Sequence, residues 1–248
     1  MSVENIKRSG GVVAAGVLAL GIALGGWFVG HGFMESRQGD RYVTVKGFAE
    51  RIVKADLALW PMRFVATGND LTQVQEKLRT DAAAVLAFLA EAGIPRNVVE
   101  LQNVEVTDLF AQAYRSGPVE NRFIVAQTLM VRSDDVDRII QASQRLDALV
   151  DAGVVLSSDM GPASGGPYYL YTRLNDLKPE MIAEATRNAR AAAEQFAADS
   201  SSSLGGIRQA SQGLFQILPR DDTPGMSEPG QVMKTVRVVS TVQYLLVE

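Results

Sequence analysis

Residues 42–66, YVTVKGFAERIVKADLALWPMRFVA, give the clearest indication of the fold. Apolar and polar residues alternate over residues 42–48, which is typical of a strand with one buried face. Residues 52–66 predict a second, longer strand. Pro61 lies within it and predicts a bulge or a sheet edge, because proline cannot donate a ladder hydrogen bond. Two strands in succession indicate a domain built on paired antiparallel strands.

Three segments downstream have the apolar periodicity of helices that cover a sheet. They span residues 71–92, 134–152 and 179–198, and the third is rich in alanine, which favours helix and keeps the helix thin. Further strands are predicted near residues 98–107, 122–132, 154–160, 168–174, 213–218 and 232–247. This order predicts an α+β fold with three main helices packed on antiparallel sheets. It is compatible with one domain or with two sub-domains that meet near residues 120–160.

An uncharged apolar run precedes this domain. Residues 10–30, GGVVAAGVLALGIALGGWFVG, would rise about 30 Å as a helix, enough to cross a bilayer core. Lys7 and Arg8 lie before the run, so the positive-inside rule predicts a cytoplasmic N-terminus. The alternative is a cleaved signal peptide, whose apolar region is usually shorter, about 7–15 residues.

The chain organisation follows from this anchor. The domain lies outside the cytoplasm under both interpretations. The predicted segments are a cytoplasmic N-terminus 1–9, a transmembrane helix 10–33 in contact with the lipid bilayer, a linker 34–41 and the exported domain 42–248.

The exported domain has few groups suited to catalysis. The only histidine, His31, lies at the end of the apolar run, and the chain has no cysteine. These facts exclude imidazole triads, zinc clusters of His and Cys, and thiolate chemistry from the domain. The net charge of −4, without a basic stripe, argues against a nucleic-acid partner. We therefore predict no catalytic residue, no cofactor, no metal and no small-molecule substrate.

Two groups of carboxylates are candidate sites by their clustering in the sequence. Asp134, Asp135 and Asp137 stand where a helix begins, where they complement its dipole. Asp221 and Asp222 lie in a proline-rich loop and lack convergent partners, so a solvated turn is the favoured interpretation.

A tyrosine cluster is the one candidate binding or interface patch. Tyr168, Tyr169 and Tyr171 follow Pro167. The patch would contact a ligand or a neighbouring subunit. The alternative, that these side chains pack on both faces of a sheet, is the favoured one.

Two segments of the chain resemble the SIMPL-domain family, also called DUF541. That family typically opens with V-x-G-x-G, a short strand and P-D-x-A, which residues 43–58 resemble. The matching residues are Gly47, Asp56 and Ala58, and the departures are Ala49 and Ala55. Residues 184–197, EATRNARAAAEQFA, followed by Leu204 and Gly205, resemble the family's alanine-rich segment, and a valine-rich C-terminal strand also fits. The resemblance covers residues 41–248.

The resemblance implies a bacterial envelope protein, often periplasmic, whose α+β fold forms ring-like or channel-like homo-oligomers. Links to oxidative or envelope stress come with it, and no catalytic residues do. We therefore expect a non-enzymatic, self-assembling protein anchored in the inner membrane. The alternative is a periplasmic module that binds a small ligand, a peptide or a cell-wall fragment through the tyrosine cluster or a sheet groove.

Overall fold

The computed structural model describes residues 16–31, 41–111, 120–157 and 166–247. The helices in these ranges are α1 (residues 16–31), α2 (Leu71–Glu91), α3 (Val136–Ser143), α4 (Asp147–Asp151) and α5 (Leu174–Asp199). The strands are β1 (Tyr42–Lys54), β2 (Leu57–Gly68), β3 (Val99–Asp108), β4 (Phe123–Ser133), β5 (Tyr168–Leu170), β6 (Ser203–Gln212), β7 (Gln216–Pro219) and β8 (Met233–Val247). These elements confirm an α+β fold with antiparallel sheets and several helices.

The chain divides into two compact units, each assembled from segments that are separate in sequence. One contains Met1–Ala49, Ile182–Leu214 and Val239–Glu248, and the other contains Glu50–Met181 and Phe215–Val238. None of the divisions falls between residues 120 and 160, where the sequence suggested a boundary, because β1, α5 and β8 each contribute residues to both units.

The larger unit contains a sheet with the strand order β3-β4-β2-β5. The helix α2 packs against β2 and β4, and fully buried Trp60, Phe64 and Val131 lie at the centre of its core. The side chain of Asp70 caps α2 by accepting hydrogen bonds from the amides of Thr72 and Gln73. One face of this sheet is therefore covered by α2 and buries apolar side chains.

Pro61 lies on β2 where one side of the strand has a gap. Leu59 pairs with Tyr168 of β5, and the Arg63 carbonyl accepts a hydrogen bond from the Ser157 amide at 2.8 Å. Alternate residues of a strand point to the same side, so Pro61 faces the interval between these two pairings. Within the residues the structure describes, nothing pairs with Pro61 on that side. The proline therefore lies at a local gap in an inner strand, and not at the bulge or sheet edge that was predicted.

The smaller unit contains the alanine-rich part of α5 packed on β1 and β8. Buried Val45, Ala189, Ala193, Val242 and Tyr244 form its core. The strand order is β1-β8-β6, so β8 is the central strand. In the larger unit, β7 pairs antiparallel with the first residues of β8.

The third predicted helix begins earlier than expected. The sequence placed its start near Pro179, but α5 starts at Leu174 and Pro179 lies inside it. The proline removes one early hydrogen bond, and the helix continues through it. At the other end, Ser201 has a positive φ of 54° and α5 closes with a hydrogen bond from the Ser202 amide to the Ala197 carbonyl at 2.9 Å.

The second predicted helix, 134–152, is two helices in the structure. α3 ends at Ser143, whose hydroxyl donates a hydrogen bond to the Ile140 carbonyl at 2.8 Å and so competes with the helix backbone. Asp135 caps α3. The predicted strand 154–160 is reduced to a single bridge between Leu156 and Phe64, and residues 158–160 lie outside the described residues.

The strand β6 was not predicted. Gly205 and Gly206 lie within β6, where its register with β8 shifts between Leu204 and Ile207. Glycine is common at such irregularities because it tolerates the backbone kink.

The predicted anchor is described only in part. Residues 16–31 form α1, whose side chains are all exposed, and residues 10–15, 32 and 33 lie outside the described residues. In the described parts of the chain, no helix combines the length and the hydropathy that crossing a bilayer requires.

Candidate functional site

The three predicted tyrosines do not form a common exposed patch. Tyr169 on β5 is 6% exposed and belongs to the core of the larger unit, whereas Tyr168 and Tyr171 are half-buried. Burial raises the pKa of the Tyr169 hydroxyl above its ordinary value, and a hydrogen bond with Ser143 opposes this rise. Tyr169 is therefore a core-packing residue of the larger unit and not part of a binding patch.

Tyr171 belongs to a polar cluster built around Asp56. The two carboxylate oxygens of Asp56 accept hydrogen bonds from the amide of Thr172 at 2.7 Å and from its hydroxyl at 2.9 Å. Arg173 Nε lies 3.4 Å from the same carboxylate, and the Tyr171 hydroxyl donates to the Arg173 carbonyl. Burial, then the negative charges of Asp56 and Asp176, raise the pKa of Tyr171. Asp56 thus fixes the segment that leads into α5.

Gly47 allows close packing between β1 and α5. A Cβ atom at this position would lie 1.9 Å from the Ala185 carbonyl oxygen and 2.3 Å from the Ala189 nitrogen. The side chain of Asn188 donates a hydrogen bond to the Phe48 carbonyl at 2.9 Å beside this contact. Gly47 and the small residues of α5 together therefore allow the strand and the helix to pack closely.

β3 is the most exposed apolar edge of the larger unit. It is the outermost strand of its sheet and pairs with β4 alone among the residues described. Leu101, Val104 and Val106 are 54%, 50% and 52% exposed although they lie on the helix-covered face. This surface was not predicted, because apolar alternation does not distinguish an edge strand from a central one.

β6 is a second outer strand, in the smaller unit. Most of its residues are exposed on both faces, and the Arg208 guanidinium lies 4.2 Å from the centroid of the Tyr42 ring. Its register with β8 shifts twice, so its edge is less regular than that of β3.

A cleft opens beside Pro61 in the larger unit. Its volume is about 190 Å³. Its lining is mainly apolar, with Arg63 and Ser157 as the polar residues. The residues are Trp60, Pro61, Met62, Arg63, Leu146, Leu156 and Ser157. Arg63 Nη2 donates to Glu105 Oε2 at 2.8 Å, which holds the guanidinium in place. Sequence gave no sign of this cleft beyond the strand-breaking proline.

Two of the acidic residues named above have structural partners. Asp135 caps α3 by accepting from the Arg138 amide, and Asp221 pairs with Arg220 at 2.7 Å. The hydrogen bond from Arg220 lowers the pKa of Asp221 below its ordinary value. Among the described residues, no group of three or more His, Cys, Asp or Glu side chains is arranged to hold a metal ion.

A protein-family model matches most of the chain. The family model described as "SIMPL: Protein of unknown function (DUF541)" matches residues 43–244. This range contains both interactions described above, the close contact of Gly47 with α5 and the hydrogen bonds of Asp56 with Thr172. A search of curated proteins found no match. Because the family model covers most of the chain, the chain belongs to the SIMPL (DUF541) family.

Proposed function

We propose that this chain is a non-enzymatic protein of the bacterial inner membrane, anchored by residues 10–33, whose periplasmic domain self-associates. The observation that carries the proposal is β3, a ten-residue outer strand with three half-exposed apolar side chains on one face. Exposed strand edges readily pair with other strands, and proteins usually shield them with charge, proline or short length. β3 carries two glutamates and a bulge, but it is ten residues long, lacks proline and keeps an apolar helix-covered face, and these features support an interface.

α1 supports the anchoring part of the proposal. Its large apolar side chains, such as Leu18, Ile22 and Phe28, are 68%, 68% and 69% exposed. An apolar surface of this extent is stable when a membrane or a partner covers it. Lys7 and Arg8 before the run support a cytoplasmic N-terminus. The resemblance to the SIMPL family also implies a role under envelope stress.

The test uses the full chain in detergent. Size-exclusion chromatography with light scattering should give a protein mass that is a multiple of 26.7 kDa. Protease protection in spheroplasts should show the domain on the periplasmic side, and N-terminal sequencing of the mature protein distinguishes an anchor from a cleaved signal. A strictly monomeric full chain would refute self-association.

A second function is favoured by the cleft beside Pro61. Its apolar walls suit a small apolar ligand, which makes a periplasmic binding module the alternative. The probe is 1-anilinonaphthalene-8-sulfonate, whose fluorescence should rise with the native full chain in excess of the rise caused by detergent alone. Leu156→Trp fills the cleft and should abolish that increment. An unchanged increment in the folded variant would exclude binding at this cleft.

A further inference from the structure

We propose that two copies of the chain pair through β3, in antiparallel orientation and symmetrically about Val104. This inference rests on the proposed self-association and specifies its interface. Each copy would extend the four-stranded sheet of the other into one continuous sheet of eight strands.

The exposed apolar side chains of β3, Leu101, Val104 and Val106, are called the apolar strip. The bulge in β3 spaces them evenly on either side of Val104. On β4, Val131, Leu129, Gln127 and Val125 are partners of Val99, Leu101, Val104 and Val106 in that order. The register shift between Leu101 and Val104 lets Gln102 and Asn103 occupy a single step of the ladder. Leu101 and Val106 are therefore each one same-face step from Val104, in opposite directions along the strand.

A two-fold axis at Val104 brings like surfaces together. Val104 then lies opposite Val104 of the second copy, and Leu101 lies opposite Val106 of the second copy. The three half-exposed side chains of each copy form one apolar ribbon across the pair. Aliphatic cross-strand pairs of this kind stabilise antiparallel sheets.

The charges select this axis over its neighbours. With the axis at Val104, Glu100 faces Thr107 of the second copy, and Glu105 faces the bulge. An axis at the bulge would place Glu100 opposite Glu105 of the second copy, and an axis at Glu105 would place that carboxylate opposite itself. Like charges directly opposite each other destabilise a sheet. Symmetry about Val104 therefore keeps the whole strip paired without opposing carboxylates.

The size of the strip sets the expected affinity. Three half-exposed side chains bury far less than the roughly 800 Å² per partner of a standard stable interface. We expect weak pairing of free domains and stronger pairing when anchors confine the chains to one membrane, because confinement raises their effective concentration.

The experiment uses single cysteines in the full chain, which has none of its own. Residues directly opposite in an antiparallel pair have Cα atoms about 4.5–5.5 Å apart, within the range that a disulfide spans. Under mild oxidation in membranes, Val104→Cys should form a covalent dimer. Leu101→Cys alone should form at least tenfold less, whereas co-expressed Leu101→Cys and Val106→Cys chains should form the mixed dimer.

Matched controls separate the outcomes. Ser211→Cys places a thiol on the exposed outer strand β6 and should yield little dimer. Val104→Lys, checked for native circular dichroism, should weaken association at least tenfold. If the full chain is oligomeric but Val104→Cys remains uncrosslinked, or if Ser211→Cys crosslinks equally well, the β3 interface is refuted and self-association stands. If the unmodified full chain is a monomer at every concentration, both proposals fail.

Discussion

Substitution of Gly47 by alanine should destabilise the protein strongly. The new Cβ would lie 1.9 Å from the Ala185 carbonyl oxygen and 2.3 Å from the Ala189 nitrogen. Both atoms belong to the helix backbone, so no side-chain rotation relieves the overlap. α5 and β1 would have to separate by about 1 Å or more to reach van der Waals distance.

The magnitude follows from the packing that this separation disrupts. A radial gap of about 0.5–1 Å forfeits a quarter to a half of each dispersion contact. Ala189 and Ala193 are fully buried against Val45 and Val242, and they would lose such contacts together. We expect a loss of about 3 kcal/mol in the free energy of unfolding, at the upper end of overpacking effects.

The assay is urea denaturation of the full chain, followed by circular dichroism at 222 nm. Gly206→Ala is the matched control, because a Cβ there meets nothing within 4 Å and the residue lies on an exposed strand. The control should stay within about 0.5 kcal/mol of the parent chain. If Gly47→Ala is as stable as the control, close packing of β1 on α5 is not the reason for the glycine.

Three further perturbations test other features. Asp56→Asn removes the carboxylate that binds Thr172 and should cost about 1–2 kcal/mol, seen as a lower urea midpoint. Ser201→Gly relieves the positive φ of 54° and should raise the unfolding free energy by about 1 kcal/mol in the same assay. The hydrogen bond from Arg122 lowers the pKa of Asp108 below its ordinary value of 3.8, so the pair's stabilisation is present above that pH and is lost as pH falls through the lowered pKa. NMR titration should show this low pKa, and Arg122→Gln should return it towards 3.8.

The sequence predicted the helices and strands whose ends or faces depend on residues close together in the chain. The helix predicted over residues 71–92 is α2, which begins after the capping Asp70 and is followed by Gly93, whose φ of +76° suits glycine. β8 was predicted within one residue of its start because its apolar alternation is uninterrupted. β6 was missed because its glycines resemble a turn unless the strand beside them is known.

The candidate site was less predictable than the fold. An edge strand and a central strand share one hydrophobic pattern, so the exposure of Leu101 and Val104 depends on which strands pair with β3. The tyrosine cluster shows the converse, since Tyr169 is buried by tertiary packing that sequence proximity does not reveal. Gly47 and Asp56 were recognised as motif residues, but their partners on α5 and at Thr172 are distant in sequence.

The central position of β8 also constrains the order of folding. β1 is made near the start of the chain, yet β8, the strand between β1 and β6, is made roughly 190 residues later. Contacts over such sequence separations form slowly, because a long loop must close before they contribute. The apolar side chains of β1 therefore cannot pack against β8 until β8 has been synthesised. A chaperone that shields nascent strands should increase the yield of native protein, and a chain truncated before β8 should fail to form the smaller unit.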